Sequence, residues 1–362
     1  MSSYGLILIK SASRAGGQFF LSHLICALFG LCISLIIQFI DYRELSRFWI
    51  HISLFCTLII IYTLIFGSSV QGASGVNAKA WIRMPGGFTF QPSELSKIGF
   101  IFTFAKHLEI LKRRKQINDF KYLLVFVIHM MIPVVLTHLQ GDDGAAIIFI
   151  CIALFEMFIA GVDARYFMFG IAILALMVPL IWNFGLAPYQ KNRILNMFSP
   201  DADPYGIGFQ RIQAKISIGS GGFLGNGIFK GRRVSDGIVP VQESDFILSV
   251  AGEELGFVGC FLVLIFLLAL IFRVSYIAKC ARDDLGMLSC FGFLGFILSQ
   301  CIFNIGMCLS FLPVIGVTLP FFSAGGSSII CSFLGISLIQ SIYMTRVNED
   351  FGAKRLKDKT HN

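Results

Sequence analysis

The sequence predicts an all-α protein, a polytopic transmembrane helix bundle of nine to ten spans with a long outer loop. Three observations predict it. Only 14% of the 362 residues are charged and 56% are hydrophobic, against about 25% charged in soluble domains. Apolar runs of the roughly 20 residues needed to cross a bilayer recur along the whole chain. Lys and Arg gather in alternate connections, the asymmetry that orients membrane proteins.

Nine runs qualify as spans: 19–40, 48–67, 93–110, 122–138, 145–162, 165–185, 245–273, 287–309 and 326–345. An earlier apolar piece, Tyr4 to Ile9, is too short to span, and no cleavable signal sequence is read there. Arg43 and Arg47 follow the first span, Lys112-Arg113-Arg114-Lys115 the third, and Arg273, Lys279 and Arg282 the seventh. With Arg346, Lys354, Arg355, Lys357 and Lys359 of the tail 346–362, they define the cytoplasmic side. The net charge of +8 therefore reads as membrane topology rather than nucleic-acid binding. Residues 1–362 form a single integral membrane domain, with outer loops at 68–92 and 186–243.

The first outer loop turns at Pro85-Gly86-Gly87 and ends in Pro92-Ser93-Glu94, a helix start with an acid near the positive end. Trp81 within it reads as an aromatic anchor at headgroup level or as a sugar-stacking platform. The second loop makes a double turn at Ser199-Pro200-Asp201-Ala202-Asp203-Pro204. From Gln210 to Ile218 it suits a short amphipathic helix, with Phe209, Ile212 and Ile216 on one face and Arg211 and Lys215 on another. The glycines from Gly219 to Gly227 either let backbone N–H groups approach an anion or make a flexible surface loop. They form no nucleotide-binding motif, because no G-K-[ST] and no βαβ unit accompany them. Between the last two spans, Leu312 to Ser328 mixes apolar residues with Pro313, Gly316, Pro320, Gly325 and Gly326. Such backbone at bilayer depth is re-entrant and implies a cavity near the outer leaflet.

The ten cysteines contain no C-x-x-C pair and the six histidines no ligand spacing, so no protein metal site is read and the cysteines serve as packing residues. Ionisable groups within spans are the default functional candidates. Glu94 and Lys97 sit three apart and can pair. Glu156 has no local partner, and Asp142 and Asp143 occupy a very short outer turn. Glu253 and Glu254 lie about 12 Å from Asp245 along one helix; they answer a neighbouring cation or cap backbone N–H groups. Asp245 begins that helix beneath a loop carrying Lys191, Arg193, Arg211, Lys215, Lys230, Arg232 and Arg233. The macrodipole should favour its charged form. From local sequence it reads equally as an N-cap or as a catalytic carboxylate.

Taken together, Asn77–Ile82, Phe90–Lys97, Tyr189–Ile194, Asp203–Gly208, Ile218–Gly227, Ser244–Gly259, Asn304–Met307 and Leu312–Ser328 resemble the SEDS family. These are the shape, elongation, division and sporulation proteins of bacterial cell-wall synthesis, and Gln140, Tyr189-Gln190-Arg193 and Ile218–Gly231 look most like the elongation branch. The resemblance implies ten spans in the bacterial inner membrane, the first cut short to Tyr4–Lys10. It also implies a peptidoglycan glycosyltransferase that polymerises lipid II, and a class B penicillin-binding transpeptidase as partner. An essential acid falls at Asp245 and an important tryptophan at Trp81. Lys97, Arg193, Arg211 and Lys215 are then candidate counter-charges for the departing diphosphate, with or without a divalent cation (Mg or Mn), and Glu254 and Ser327 complete the candidate binding set. Two departures stand out. The usual Pro-Glu-x-His-Thr-Asp reads Pro240-Val241-Gln242-Glu243-Ser244-Asp245, and Gly141 and Asp143 replace the usual Pro and Leu. A lipid II flippase and a non-catalytic scaffold for the transpeptidase remain as alternatives.

Overall fold

The computed structural model describes residues 1–13, 18–71, 77–84, 89–198 and 207–360. The turns expected at Pro85-Gly86-Gly87 and Ser199–Pro204 lie outside the described residues. The chain is an all-α bundle: α1 (Ser2–Ala12), α2 (Gln18–Ile37), a short α3 (Tyr42–Leu45), α4 (Trp49–Phe66), α5 (Pro92–Arg113), α6 (Phe120–Leu139), α7 (Asp143–Ala160) and α8 (Ala164–Leu180). The second outer loop contributes α9 (Pro188–Phe198), α10 (Ile207–Ser220) and α11 (Arg232–Asp236). Then follow α12 (Ile247–Cys280), α13 (Asp284–Cys308) and α14 (Gly326–Thr360).

Among the described residues, eight helical segments are long and apolar enough to cross a membrane, including α3–α4 as one unit. The ninth expected span, α5, has the length but not the apolarity, because Glu94, Lys97, Lys106 and Glu109 lie within it. A polar helix can sit at bilayer depth only inside protein, and most of α5 is buried among α4, α7, α13 and α14. By contrast α8 buries none of its residues and stands at the rim. The piece too short to span, α1, is a helix that packs Leu8 and Ile9 into the core and hydrogen-bonds from the Tyr4 hydroxyl to the Gly259 carbonyl at 3.1 Å.

The inner side is stitched by its expected cations. Arg43 pairs with Asp283 at 2.8 Å and Lys112 with Asp284 at 2.7 Å, so the connections after α2, α5 and α12 meet on one face. On the other face the first outer loop forms a small antiparallel sheet not foreseen from sequence: β1 (Ser68–Gln71), β2 (Asn77–Arg83) and β3 (Thr89–Phe90) in order β1-β2-β3. Ser68 pairs with Trp81, and Ile82 with Phe90. The Lys79 amide donates to the Gln140 carbonyl at 3.0 Å, which docks β2 over the α6–α7 turn.

The span expected over 245–273 does not run straight, although its first turns, through Glu253 and Glu254, are one helix. Gly256 has φ 63° and ψ −155° inside α12, a backbone region open essentially to glycine alone. The Cys260 thiol consequently reaches the Leu248 carbonyl at 3.8 Å, where a straight helix would hold residues twelve apart at about 18 Å. The segment 247–255 is thus an outer half-helix folded back on the spanning part.

Candidate active site

Asp245 lies just before that half-helix, 7% exposed. Its backbone is not free to wander. Three successive carbonyls, those of Glu243, Ser244 and Asp245, accept hydrogen bonds from the Ala324 amide (2.7 Å), the Ser323 hydroxyl (2.5 Å) and the Asn304 side-chain amide (2.9 Å). The end of α13 and the connection after it therefore satisfy the irregular backbone that carries the acid, as buried polar groups require. One carboxylate oxygen accepts from the Ser244 hydroxyl at 3.0 Å. The other faces Gly316, whose absent side chain leaves that approach open: a Cβ there would stand 3.7 Å from Asp245 Oδ2.

Burial pushes the Asp245 carboxyl up to about 6; the Ser244 hydroxyl pulls it down, and the charges of Glu243 and Asp142 push it up again. The helix dipole invoked from sequence does not prevail. The helix begins at Ile247 with Phe246 as its cap residue, so Asp245 makes no capping bond, and desolvation decides the sign.

Asp142 links Asp245 to a second polar cluster. It caps α7 through the Ala145 amide (3.0 Å) and accepts from the Gln91 side chain (2.7 Å) and the Ser93 hydroxyl (3.3 Å). Burial raises its carboxyl, offset by the Ala145 amide and by Lys97. Lys97, 2% exposed, bonds Glu94 at 2.7 Å and lies 5.5 Å over the Phe296 ring. Ser327 accepts the Gln91 backbone N–H at 2.8 Å, joining the starts of α5 and α14 to the same cluster. Lys97 is therefore already neutralised, and replacing it should strand Glu94. Lys97→Met is expected to cost about 3–5 kcal/mol. The double variant Glu94→Gln/Lys97→Met should recover most of that loss in thermal unfolding of the detergent-solubilised protein; no recovery would mean that the pair is not what Lys97 supplies.

Other expected site residues fall elsewhere. Arg211 is buried, and its guanidinium donates to the Ser310 carbonyl at 3.1 Å. The face of α10 that packs is Arg211, Ala214 and Ser217, while Ile216 is 46% exposed, so Arg211 and Ile216 depart from the expected faces. Small residues win that contact because α10 approaches α12 closely: a side chain on Gly221 would strike the Gly252 carbonyl. Lys215 is exposed. Trp81 is half-buried on β2, and the side chain of Arg193 lies outside the described residues.

Glu254 does not face Asp245. It accepts from the Ser11 hydroxyl at 2.5 Å and from the backbone of Phe229 and Gly231, while Glu253 accepts the Arg233 amide at 2.7 Å. The amides of Asn226 and Gly227 bond the carbonyls of the same two glutamates at 3.0 and 2.9 Å. Of the glycine run read from sequence as an anion approach or a flexible loop, the Asn226 and Gly227 amides are spent on α12, and those of Gly222 and Gly225 on Gly219 and Gly221. Of the two readings for this acidic pair, backbone capping is the observed one. The unusual Asp143 also acquires a role: it accepts from Gln190 of α9 at 2.8 Å and pairs with His138 at 2.7 Å.

Asn304 and Ser323 went unnoticed as site residues. An amide buried in an apolar helix must find partners, and that was the signal available for Asn304. Asp245 is 7% exposed among the described residues. Among the described residues no three His, Cys, Asp or Glu side chains converge to cage a metal ion.

Fold and site together define a multi-pass membrane protein with a buried polar cluster, Asp245 and Asp142 among its carboxylates, beneath the loops. The model of the FtsW/RodA/SpoVE cell cycle proteins matches residues 1–348, and the chain belongs to that family. It is 31% identical to the peptidoglycan glycosyltransferase MrdB of Escherichia coli K12, over 88% of this chain and 83% of that one. It is 32% identical to a probable peptidoglycan glycosyltransferase FtsW of Trichlorobacter lovleyi, over 94% and 90%. Among solved structures, a chain of a peptidoglycan synthase complex superimposes with a TM-score of 0.81 at 28% identity, covering 95% of both chains. The rod shape determining protein RodA of Thermus thermophilus gives 0.70 at 25%, covering 95% and 93%.

Proposed function

We propose that this chain polymerises lipid II into glycan strands at the outer face of the bacterial inner membrane, in the service of cell elongation or shape. It is a peptidoglycan glycosyltransferase, the activity for which its relatives are named. The observation that carries the site assignment is the buried Asp245 carboxylate, raised to about 6, since a general base works best with a pKa near the operating pH. In this reading Asp245 takes the proton of the acceptor sugar's hydroxyl. That oxygen forms a bond to the anomeric carbon of a second lipid-linked disaccharide, the bond from carbon to phosphate oxygen breaks, and undecaprenyl diphosphate leaves. Gly316 leaves room for the acceptor oxygen beside Oδ2. Arg193 and Lys215 are the proposed counter-charges for the diphosphate, with Arg211 joining them on release from the Ser310 carbonyl, and Trp81 borders the sugar path. Because Asp245 is only 7% exposed, the reading requires the outer connections to part when substrate binds.

A divalent cation such as Mg or Mn would neutralise charge on the diphosphate. The diphosphate's own oxygens would supply most of its shell. The proposed partner is a class B penicillin-binding transpeptidase, in keeping with the likeness to a synthase-complex chain. A flippase would line a polar route between the two faces. Glu156, the buried acid deep in α7, instead packs where a side chain on Gly292 would strike it, with neither carboxyl oxygen hydrogen-bonded.

The test is the pH profile of lipid II polymerisation by the purified protein with its transpeptidase. The base must be ionised to act, so kcat/KM should be low below the Asp245 pKa, rise through about pH 6 and level off above it. A profile flat between roughly pH 5 and 8 would remove Asp245 from the proton transfer.

A further inference from the structure

We infer that Asn304 and Ser323 are positioning residues for Asp245, and that the connection from α13 to α14 is the clasp that sets where the base stands. The inference rests on the reading of Asp245 as the base. Residues 239–246 form turns rather than helix or strand, so no local ladder fixes their carbonyls and outside donors must do so. The donors come from the last turns of α13, Asn304 and Cys308, and from the connection that follows it, Ser323 and Ala324. Asn304, fully buried, spends one side-chain N–H on the Asp245 carbonyl (2.9 Å) and the other on the Val317 carbonyl (2.7 Å). Ser323, 4% exposed, donates to the Ser244 carbonyl (2.5 Å) while accepting the Leu319 amide (2.8 Å). The Ala324 amide holds the Glu243 carbonyl (2.7 Å).

Each of the two side chains therefore bridges the acid-bearing backbone to residues 317–319, and the same connection supplies Gly316 beside the reacting oxygen. Loosening either bridge moves Asp245 relative to Gly316 without touching a carboxylate atom. A displacement near 1 Å at a reacting group lowers turnover by about 10²-fold.

Asn304→Ala, Ser323→Ala and Asp245→Asn should be purified with the transpeptidase and compared on lipid II, with melting temperature measured in parallel. The first two are expected to lower kcat by about 10–100-fold, leave KM within about 3-fold, and shift the acid inflection of kcat/KM away from that of the parent. Ser323→Ala deletes one hydroxyl and decides the matter by itself should Asn304→Ala not fold. Parental kcat and inflection in Ser323→Ala, or a loss no larger than the loss of folded protein, would overturn the positioning role. Full activity in Asp245→Asn would instead overturn the base assignment on which it rests.

Discussion

Replacing Asp245 by asparagine is expected to lower lipid II polymerisation by about 10²–10⁴-fold, the usual contribution of a general base, with no loss of folded protein. Both halves of that expectation come from the geometry. The Asn304 and Cys308 side chains reach the Asp245 carbonyl, at 2.9 and 3.7 Å, and not its carboxylate. An amide of the same size therefore leaves the clasp intact and can still accept from the Ser244 hydroxyl. Removing the charge also relieves the repulsion from Glu243 and Asp142 that helps raise the carboxyl, so the melting temperature should hold or rise slightly. The acid limb of the pH profile should vanish from whatever activity remains. Polymerisation at the parental rate would show that another group takes the proton.

The second large effect is expected far from any reacting atom. Gly256→Ala should destabilise the folded protein by about 3 kcal/mol or more, adding a glycine-only backbone conformation to a steric clash. With φ 63° and ψ −155° at Gly256, an added Cβ would collide with the backbone of Phe223 and Gly225. The fold-back at Gly256 presents Glu253 and Glu254 to the loop 226–233 and orients the half-helix that follows Asp245. Activity should therefore fall together with folded yield, unlike in Asp245→Asn, where the two part company. Fluorescence-detected size-exclusion profiles after heating would measure it; a Gly256→Ala protein as heat-stable as the parent would show that the chain can turn elsewhere.

The span positions were legible because a bilayer judges each stretch of about 20 residues by its own apolarity. Expected and observed boundaries differ by three residues or fewer at the start of every span, α5 included. The capping role of Glu253 and Glu254 was one of two readings open from sequence, and only the loop 226–233 folded over them chooses between those readings. The faces of α10 were misread for a related reason. Periodicity marks apolar against polar, whereas the contact with α12 is governed by how closely two backbones can approach, which favours Ala214, Ser217 and Gly221 over Ile216. The upward push of burial on the Asp245 carboxyl is not legible from its place before a helix, because burial cannot be read from position.

What the sequence by itself determined is the membrane class and the family; it also offered a sidedness, from its Lys and Arg residues, and Asp245 as the candidate base. What only the tertiary structure decided is how that carboxylate is held, how far its proton affinity is raised, and which neighbouring polar groups are already spent. Hydrophobic length and charge asymmetry are properties of contiguous sequence. The hydrogen bonds that pin irregular backbone are not: those at Asp245 and Ser244 come from side chains 59 and 79 residues away.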